Sequence, residues 1–474
     1  MLKYACLVLL LVVSSLYAEA APPNILFIVT DDQGAWAMGC SGNKDARTPS
    51  LDRLAREGVR LTNCFTPTPV CSPARASIMT SRYGCEVGIH DWINPRSESE
   101  LGLDPSFPVW PRYLVDAGYH TGLIGKWHLG TADRFHPSVF GYQHFMGFRA
   151  GGTTPLDPEL EVDGKTQKVP GYVVDLVGAG ALKFLREQSD KPFALSVHFR
   201  EPHRPYVPLP AAEQEFADSV NPTIPNPDFP KLDIARVSQY TKEYLGSIAA
   251  IDRNVGNLLD ELDRRNLTEN TLVIFTSDHG YNIGHHGVWH KGNGSWILTE
   301  NPPATPNVGP GHCPNMFDTS LRVPALIRWP GKVQPGSTLT RTVTHLDWFP
   351  TLLEVANIPL PSDVTLHGTS IVPLLTNTGT WSRNDDLYTE FSIHNTMRSD
   401  MRSWRTSDWK LKRDFLEPER DQLFNLAVDP DETTNLISSQ SPAAQAALKD
   451  LSDRIQRQMH LLNDPLLKSL PNTQ

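Results

Sequence analysis

Asn24-Ile-Leu-Phe-Ile-Val-Thr30 runs directly into Asp31-Asp32, and Thr271-Leu-Val-Ile-Phe-Thr276 runs directly into Ser277-Asp278-His279-Gly280. Each is a short apolar, β-branched run without polar alternation, the pattern of a strand buried on both faces of a parallel sheet. Further runs of this kind fall at 119–124, 193–199 and 323–329, and helical patterns occupy 48–57, 109–117 and 234–266. Strands alternating with helices predict an α/β fold, a large mixed, mostly parallel sheet sandwiched by helices. From about residue 385 short strand-like pieces at 387–391 and 409–412 precede a helix at 442–462. The predicted organisation is a signal peptide over 1–20, a catalytic domain over 21–384 and a smaller C-terminal α+β subdomain over 385–474.

The signal peptide rests on Met1-Leu-Lys3, the apolar stretch 4–13 and the cleavage-site pattern Ala18-Glu19-Ala20, together too short for a spanning helix. Export to a periplasmic or extracellular location is expected, with no membrane anchor. Six cysteines are present. Beyond Cys6 and Cys71, the residues Cys40, Cys64, Cys85 and Cys313 are open to pairing in an exported protein. A net charge of −10 and the lack of a basic run exclude nucleic acid as a partner. Any anion site must therefore be a local cluster of cations.

In open α/β sheets, ligands bind beyond the carboxyl ends of the strands. The two strand endings place Asp31, Asp32 and Asp278 in one region. Carboxylates about 4 Å apart repel by about 4 kcal/mol at an effective dielectric of 20, a penalty that a divalent cation removes. Hard oxygen ligands suit Ca²⁺ or Mg²⁺. The plainer alternative is that these carboxylates cap the turns that follow. Cationic groups follow other strands: Gly125-Lys126-Trp127-His128, Glu201-Pro202-His203-Arg204-Pro205 and His290-Lys291. Singly each reads as a solvated lysine or a structural histidine; their shared place at strand ends sets them apart.

Between these endings lies Cys71-Ser-Pro-Ala-Arg75. It reads as a helix start, with Ser72 as cap, Pro73 in the first turn and Gly84 as stop. A helix N-terminus and a fixed cation at Arg75 both favour negative charge. Alone, the thiol is a low-pKa cysteine, half of a disulfide or the precursor of a modified nucleophile. A soft thiolate is poorly matched to a cation held by oxygen.

The ordered set Asp31-Asp32-x-Gly34, Cys71-x-Pro73-x-Arg75, Gly125-Lys126-Trp127-His128, Pro202-His203-x-Pro205 and Ser277-Asp278-His279-Gly280 resembles the type I sulfatases of the alkaline phosphatase-like superfamily. Arg322-Val323-Pro324, Asp347-x-x-Pro350-Thr351, Trp409-Lys410 and Leu423-Phe424-Asn425-Leu426 extend the resemblance over nearly the whole chain. It implies an exported sulfuric ester hydrolase acting on a sulfated carbohydrate. It implies oxidation of Cys71 to formylglycine (3-oxoalanine) by a formylglycine-generating enzyme. It implies that Asp31, Asp32, Asp278, His279 and modified Cys71 hold Ca²⁺, with Mg²⁺ as second choice. Many members of the family have Asn at the position of His279, so a hydrogen bond from His279 to a sulfate oxygen is an alternative role.

The resemblance also implies roles for the remaining groups. The hydrate of modified Cys71 attacks sulfur, with Asp278 as base and Arg75 steadying it. Lys126 and Lys291 bind sulfate oxygens, His203 protonates the leaving alcohol, and His128 assists return to the aldehyde. His90, Trp92 and His394 are the candidates for substrate contact. Two competing readings are a phosphodiesterase or phosphonate hydrolase of the same superfamily and a catalytically silent carbohydrate-binding relative. Turnover of aryl phosphate esters marks the first, and an unmodified Cys71 the second.

Overall fold

The computed structural model describes residues 22–188, 191–379, 381 and 383–469. The predicted signal peptide and Cys6 lie outside the described residues. No helix among the described residues is long and apolar enough to cross a membrane.

A ten-stranded sheet forms the centre, in the order Ser337–Leu339, Val59–Leu61, Ala325–Arg328, Thr271–Ser277, Asn24–Thr30, Phe193–His198, His120–Lys126, His144–Phe148, Glu159–Val162 and Lys165–Lys168. The five strands from Thr271–Ser277 to His144–Phe148 run parallel, and antiparallel pairs flank them on both sides. Alternation along Asn24–Thr30 shows why residues 25–29 are all apolar. Ile25, Phe27 and Val29 enter one core with Trp110, Leu114, Trp348 and Leu352. Leu26 and Ile28 enter the other, with Leu54, Val177, Ile251 and Leu258. Helices Trp110–Asp116 and Trp348–Val355 cover the first face; Pro49–Glu57, Val173–Arg186 and Ile234–Arg264 cover the second. Full burial of each such side chain contributes about 1.5–3 kcal/mol.

Three expectations change in detail. The run at 323–329 forms only Ala325–Arg328 and pairs antiparallel to Thr271–Ser277. Pairing begins after Pro324, which has no N–H to donate. The strand predicted at 119–124 continues to Lys126, because Gly125, at φ 113°, lies against the His198 carbonyl where a Cβ would collide. The helix at 71 is Cys71–Thr80, begun by Val70 and ended at Ser81 (φ 56°), while Gly84 opens the next helix, Gly84–Val87. Ser72 is no cap: its Oγ accepts the Ile93 N–H at 3.0 Å. Cys40, Cys64, Cys71, Cys85 and Cys313 are all free thiols.

A second, antiparallel sheet of Leu387–Ile393, Ser399–Arg405, Trp409–Asp414 and Gln422–Asn425 packs under helix Pro442–Leu461 through Tyr388, Leu411, Leu423, Leu451, Ile455 and Met459. Buried Asp318 joins it to the main sheet, accepting from Lys410 at 2.8 Å, Arg405 at 3.0 Å and Arg322 at 2.8 Å. The sequence features around Arg322 and Lys410 are thus joints between the two sheets. Asp347 is likewise structural, accepting from the N–H groups of Thr344 at 2.7 Å and Thr369 at 2.9 Å and from Arg383 at 2.5 Å.

Lys412, 3% exposed in this second sheet, carries a testable penalty. Burial, then the charge of Arg420, lowers its ammonium from 10.5 to about 8. Between about pH 8 and 10.5 the unfolded chain therefore holds more protons than the folded chain, so stability rises with pH across that window. Below it the full cost stands, on the order of 3 kcal/mol. Lys412→Met is expected to raise Tm at pH 7 and to raise it less at pH 10.5. A Tm that falls at pH 7 would refute the penalty.

Candidate active site

Four neighbouring parallel strands deliver the site, because their carboxyl ends share one edge of the sheet. The tips are cross-linked through the backbone. Asp31 N–H donates to the Glu201 carbonyl at 3.1 Å and Asp278 N–H to the Thr30 carbonyl at 3.0 Å. Asp32 turns the chain at φ 71°. Tyr244 from the long helix secures that turn, its hydroxyl donating to the Asp32 carbonyl at 2.7 Å and accepting the Gly34 N–H at 2.9 Å. Ser277 Oγ accepts the Gln33 N–H at 2.9 Å.

Into this edge the helix Cys71–Thr80 presents its first residue. Ligand atoms of Asp31, Asp32, Cys71 and His279 all lie within 4.8 Å of one another, and all four residues are buried. Cys71 Sγ is 3.4 Å from Asp31 Oδ1, 3.4 Å from His279 Nε2 and 2.9 Å from Lys291 Nζ. Asp278 adjoins the group, its Oδ1 3.3 Å from His279 Nε2. Each carboxylate has a protein cation: Lys126 on Asp31 at 2.5 Å, Lys291 on Asp32 at 2.6 Å and Arg75 on Asp278 at 3.0 Å. The carboxylate repulsion anticipated from sequence is thus largely met by these three cations.

Two features still fit a bound cation. Asp32 Oδ2 is buried without a partner among the described residues. His279 donates Nδ1–H to the Gly280 carbonyl at 3.0 Å, which leaves the Nε2 lone pair directed at Asp32 Oδ1, 3.1 Å away. A lone pair this near a carboxylate oxygen would be relieved by a cation that both atoms share, beyond what Lys291 supplies at 2.6 Å, and a backbone carbonyl on the opposite ring nitrogen is the usual support of a metal-binding histidine.

Burial raises Asp31, but Lys126 and the other cations outweigh it and hold the carboxyl well below the usual range. For Asp32 burial wins over Lys291 and His279, and its value is raised. The Cys71 thiol is pushed up to about 12 by burial, with Asp31 adding to it. That overturns the low-pKa reading: desolvation exceeds the pull of the helix terminus and of the lysines. The disulfide reading fails as well, since Cys71 is free and only 2% exposed.

A model of the sulfatase family matches residues 23–358. The chain belongs to the sulfatase family. A second model, N-sulphoglucosamine sulphohydrolase C-terminal, matches residues 314–460 of this sulfatase. Among similar proteins, the N-acetylglucosamine-6-O-sulfatase of Bacteroides thetaiotaomicron is 27% identical, over 94% of this chain and 88% of its own. Human arylsulfatase A is 28% identical, over 94% and 83% of the two chains. A solved structure in complex with its substrate D-glucosamine-2-N,6-O-disulfate superposes with a TM-score of 0.76 at 24% identity, covering 94% of this chain and 99% of that one. This sulfatase is a sulfuric ester hydrolase with the mixed, mostly parallel sheet of the family.

The predicted site residues separate into groups. Asp31, Asp32, Cys71, Arg75, Lys126, Asp278, His279 and Lys291 form the buried cluster. His128 lies beside it at φ 61°; its Nε2–H donates to the Ile93 carbonyl at 3.1 Å, leaving Nδ1 buried and without a partner among the described residues. Burial, then Lys126 and Arg75, holds this ring well below its ordinary value and so neutral. His203 donates Nδ1–H to the Arg204 carbonyl at 2.7 Å and is half-buried, with Nε2 free of that bond.

The substrate candidates each have partners within the chain. His394 Nε2 is engaged by Glu98 at 2.7 Å. Trp92 packs with the apolar cluster of Phe65, Val70 and Phe391. The half-buried ring of His90 lies within electrostatic reach of Arg402 and Asp464, the buried pair at 2.6 Å beneath the C-terminal sheet.

Three residues with no assigned role stand in the same edge. Arg75 Nη1 donates to the Lys126 carbonyl at 3.2 Å and lies 3.3 Å from His198 Nδ1. Arg200, 1% exposed, ties the Thr153 and Pro205 carbonyls at 3.0 Å each, and so sets the loop that carries His203. Glu201, buried, is pushed up to about 7 by that burial. All three follow or end the strand Phe193–His198, so the strand-end rule that singled out His203 reaches them too.

Proposed function

We propose that this sulfatase is an exported enzyme that hydrolyses sulfate esters of a sulfated carbohydrate, using formylglycine made from Cys71 and a bound Ca²⁺. The observation that carries this reading is the convergence of Asp31, Asp32, Cys71 and His279 within 4.8 Å, with Lys126 and Lys291 paired to Asp31 and Asp32. When present, the modified residue supplies an oxygen nucleophile and the cation an electrophilic contact for sulfate oxygens. Asp31, Asp32, Asp278 and His279 would hold the cation; hard oxygen donors dominate that set, which suits Ca²⁺ or Mg²⁺, and Ca²⁺ is the first choice by resemblance to the family.

The chain's own groups supply the rest. Asp278, held by Arg75 at 3.0 Å, is the candidate base for the residue-71 nucleophile. Lys126 and Lys291 are buried cations that neutralise sulfate oxygens. Burial holds the His203 ring well below its ordinary value against the pull of Asp31, so its Nε2 must first take up a proton before it serves as the candidate acid for the leaving alcohol; His128 Nδ1 is the candidate base. The carbohydrate class draws on the relatives named above, one a glucosamine 6-O-sulfatase and one solved with a disulfated glucosamine. Conversion by a formylglycine-generating enzyme, export by the 1–20 segment and a division into 21–384 and 385–474 belong to the same proposal.

The test is sulfate release across a panel of sulfated glycans, with an aryl sulfate and an aryl phosphate alongside. Release from at least one glycan, exceeding turnover of the aryl phosphate, is the expected result. Phosphate release exceeding sulfate release on matched aryl esters would sink it.

A further inference from the structure

Trp289, two residues before Lys291, carries two arginines on its ring. The Arg204 guanidinium lies 4.9 Å from the ring centroid and that of Arg236 lies 5.6 Å from it. Arg236 also lies 5.2 Å from the Tyr240 centroid and donates Nε–H to the Tyr240 hydroxyl at 3.1 Å. Both arginines are exposed. Neither has a carboxylate within 4.0 Å among the described residues, although neighbouring Lys231 is paired with Glu300.

Their place is the rim of the site. Arg204 directly follows His203, whose ring is 6.4 Å from that of His290, and His290 in turn is 5.8 Å from the Trp289 ring. A guanidinium held over an aromatic ring keeps N–H groups for an anion; Arg236 spends its Nε–H on Tyr240 and retains its two Nη groups, the pair that receives a carboxylate or sulfate in bidentate fashion. Two cations over one indole repel each other until an anion joins them. In a chain of net charge −10, an uncompensated pair beside the proposed leaving-group acid favours binding of an anion.

We propose that Arg204 and Arg236, mounted on Trp289, form a subsite for a second anionic group on the leaving-group side, so that the preferred substrate is a multiply charged glycan. The subsite rests on the glycan-sulfatase reading. It assigns these arginines to specificity and binding, apart from the bond-breaking step.

The experiment compares a monosulfated hexosamine with its counterpart that carries a second sulfate on the same ring. Wild-type enzyme is expected to favour the disulfated sugar in kcat/KM by about ten-fold or more, and Arg204→Gln/Arg236→Gln to erase most of that preference, chiefly through KM. Arg236→Gln alone, away from the His203 loop, is expected to lose part of it, and the preference should weaken with added salt. Equal wild-type kcat/KM on the two sugars, or a preference that survives in the double variant, overturns the subsite. Release of sulfate from an aryl ester but from neither sugar overturns the glycan reading and the subsite with it.

Discussion

Cys71→Ala is expected to lower sulfate-ester turnover by at least about 10⁴-fold, the scale on which removal of a covalent nucleophile acts. The expectation follows from where Sγ sits. It lies among Asp31, His279 and Lys291, at the start of a helix whose ten residues are all buried. A thiol pushed up to about 12 is a poor nucleophile at neutral pH. Burial disfavours the thiolate, and a soft sulfur is poorly matched to a cation held by hard oxygens, which is the physical case for conversion of residue 71. The fold should survive, because the change deletes one sulfur atom and costs about 1 kcal/mol as a small void. Two measurements check this: turnover of the variant, and the mass of the wild-type peptide spanning residue 71, where CH₂SH should be replaced by CHO. A variant within ten-fold of wild type, or full wild-type activity with plain cysteine at 71, would end the proposal.

Asp32→Ala is expected to remove the bound divalent cation and to lower turnover by about 10³-fold or more, the loss that goes with several kcal/mol of charge stabilisation. Asp32 is the sharper choice among the carboxylates. Its Oδ2 lacks a partner among the described residues, and its Oδ1 faces both His279 Nε2 and Lys291 Nζ. Asp31, by contrast, is tied to Lys126 through a short ion pair. Elemental analysis of the purified chain reads metal content independently of activity. One divalent ion per wild-type chain and none in the variant is the expected pattern; a variant that keeps its ion refutes the assignment of Asp32.

Much of this was legible in the chain. Asn24–Thr30 and Thr271–Ser277 are covered on both faces, so their central residues 25–29 and 272–275 are all apolar, and the first charged residues mark where they end. The nucleophile position was equally plain, since Cys71, Pro73 and Arg75 are neighbours on one helix turn. Other features were hidden because they depend on what comes near from elsewhere. Ser72 looked like a cap until the loop at Ile93 claimed its oxygen. His394 and Trp92 carried no sign of the neighbours that hold them, Glu98 and the Phe65 cluster. Arg204 and Arg236 looked like ordinary surface charge, 32 residues apart in sequence, until Trp289 brought them together.

The sequence by itself determined the strands, the layered α/β fold and the set of acidic, basic and nucleophilic residues, because each is written in a local run where burial and neighbouring residues dictate the pattern. Only the tertiary structure decided which charge neutralises which. It paired Lys126 with Asp31, Lys291 with Asp32 and Arg75 with Asp278 across separations of 95, 259 and 203 residues. It also buried the thiol deeply enough to reverse the pKa expected of a helix terminus. Desolvation and Coulomb energy depend on distance in space, and strand order and register set those distances.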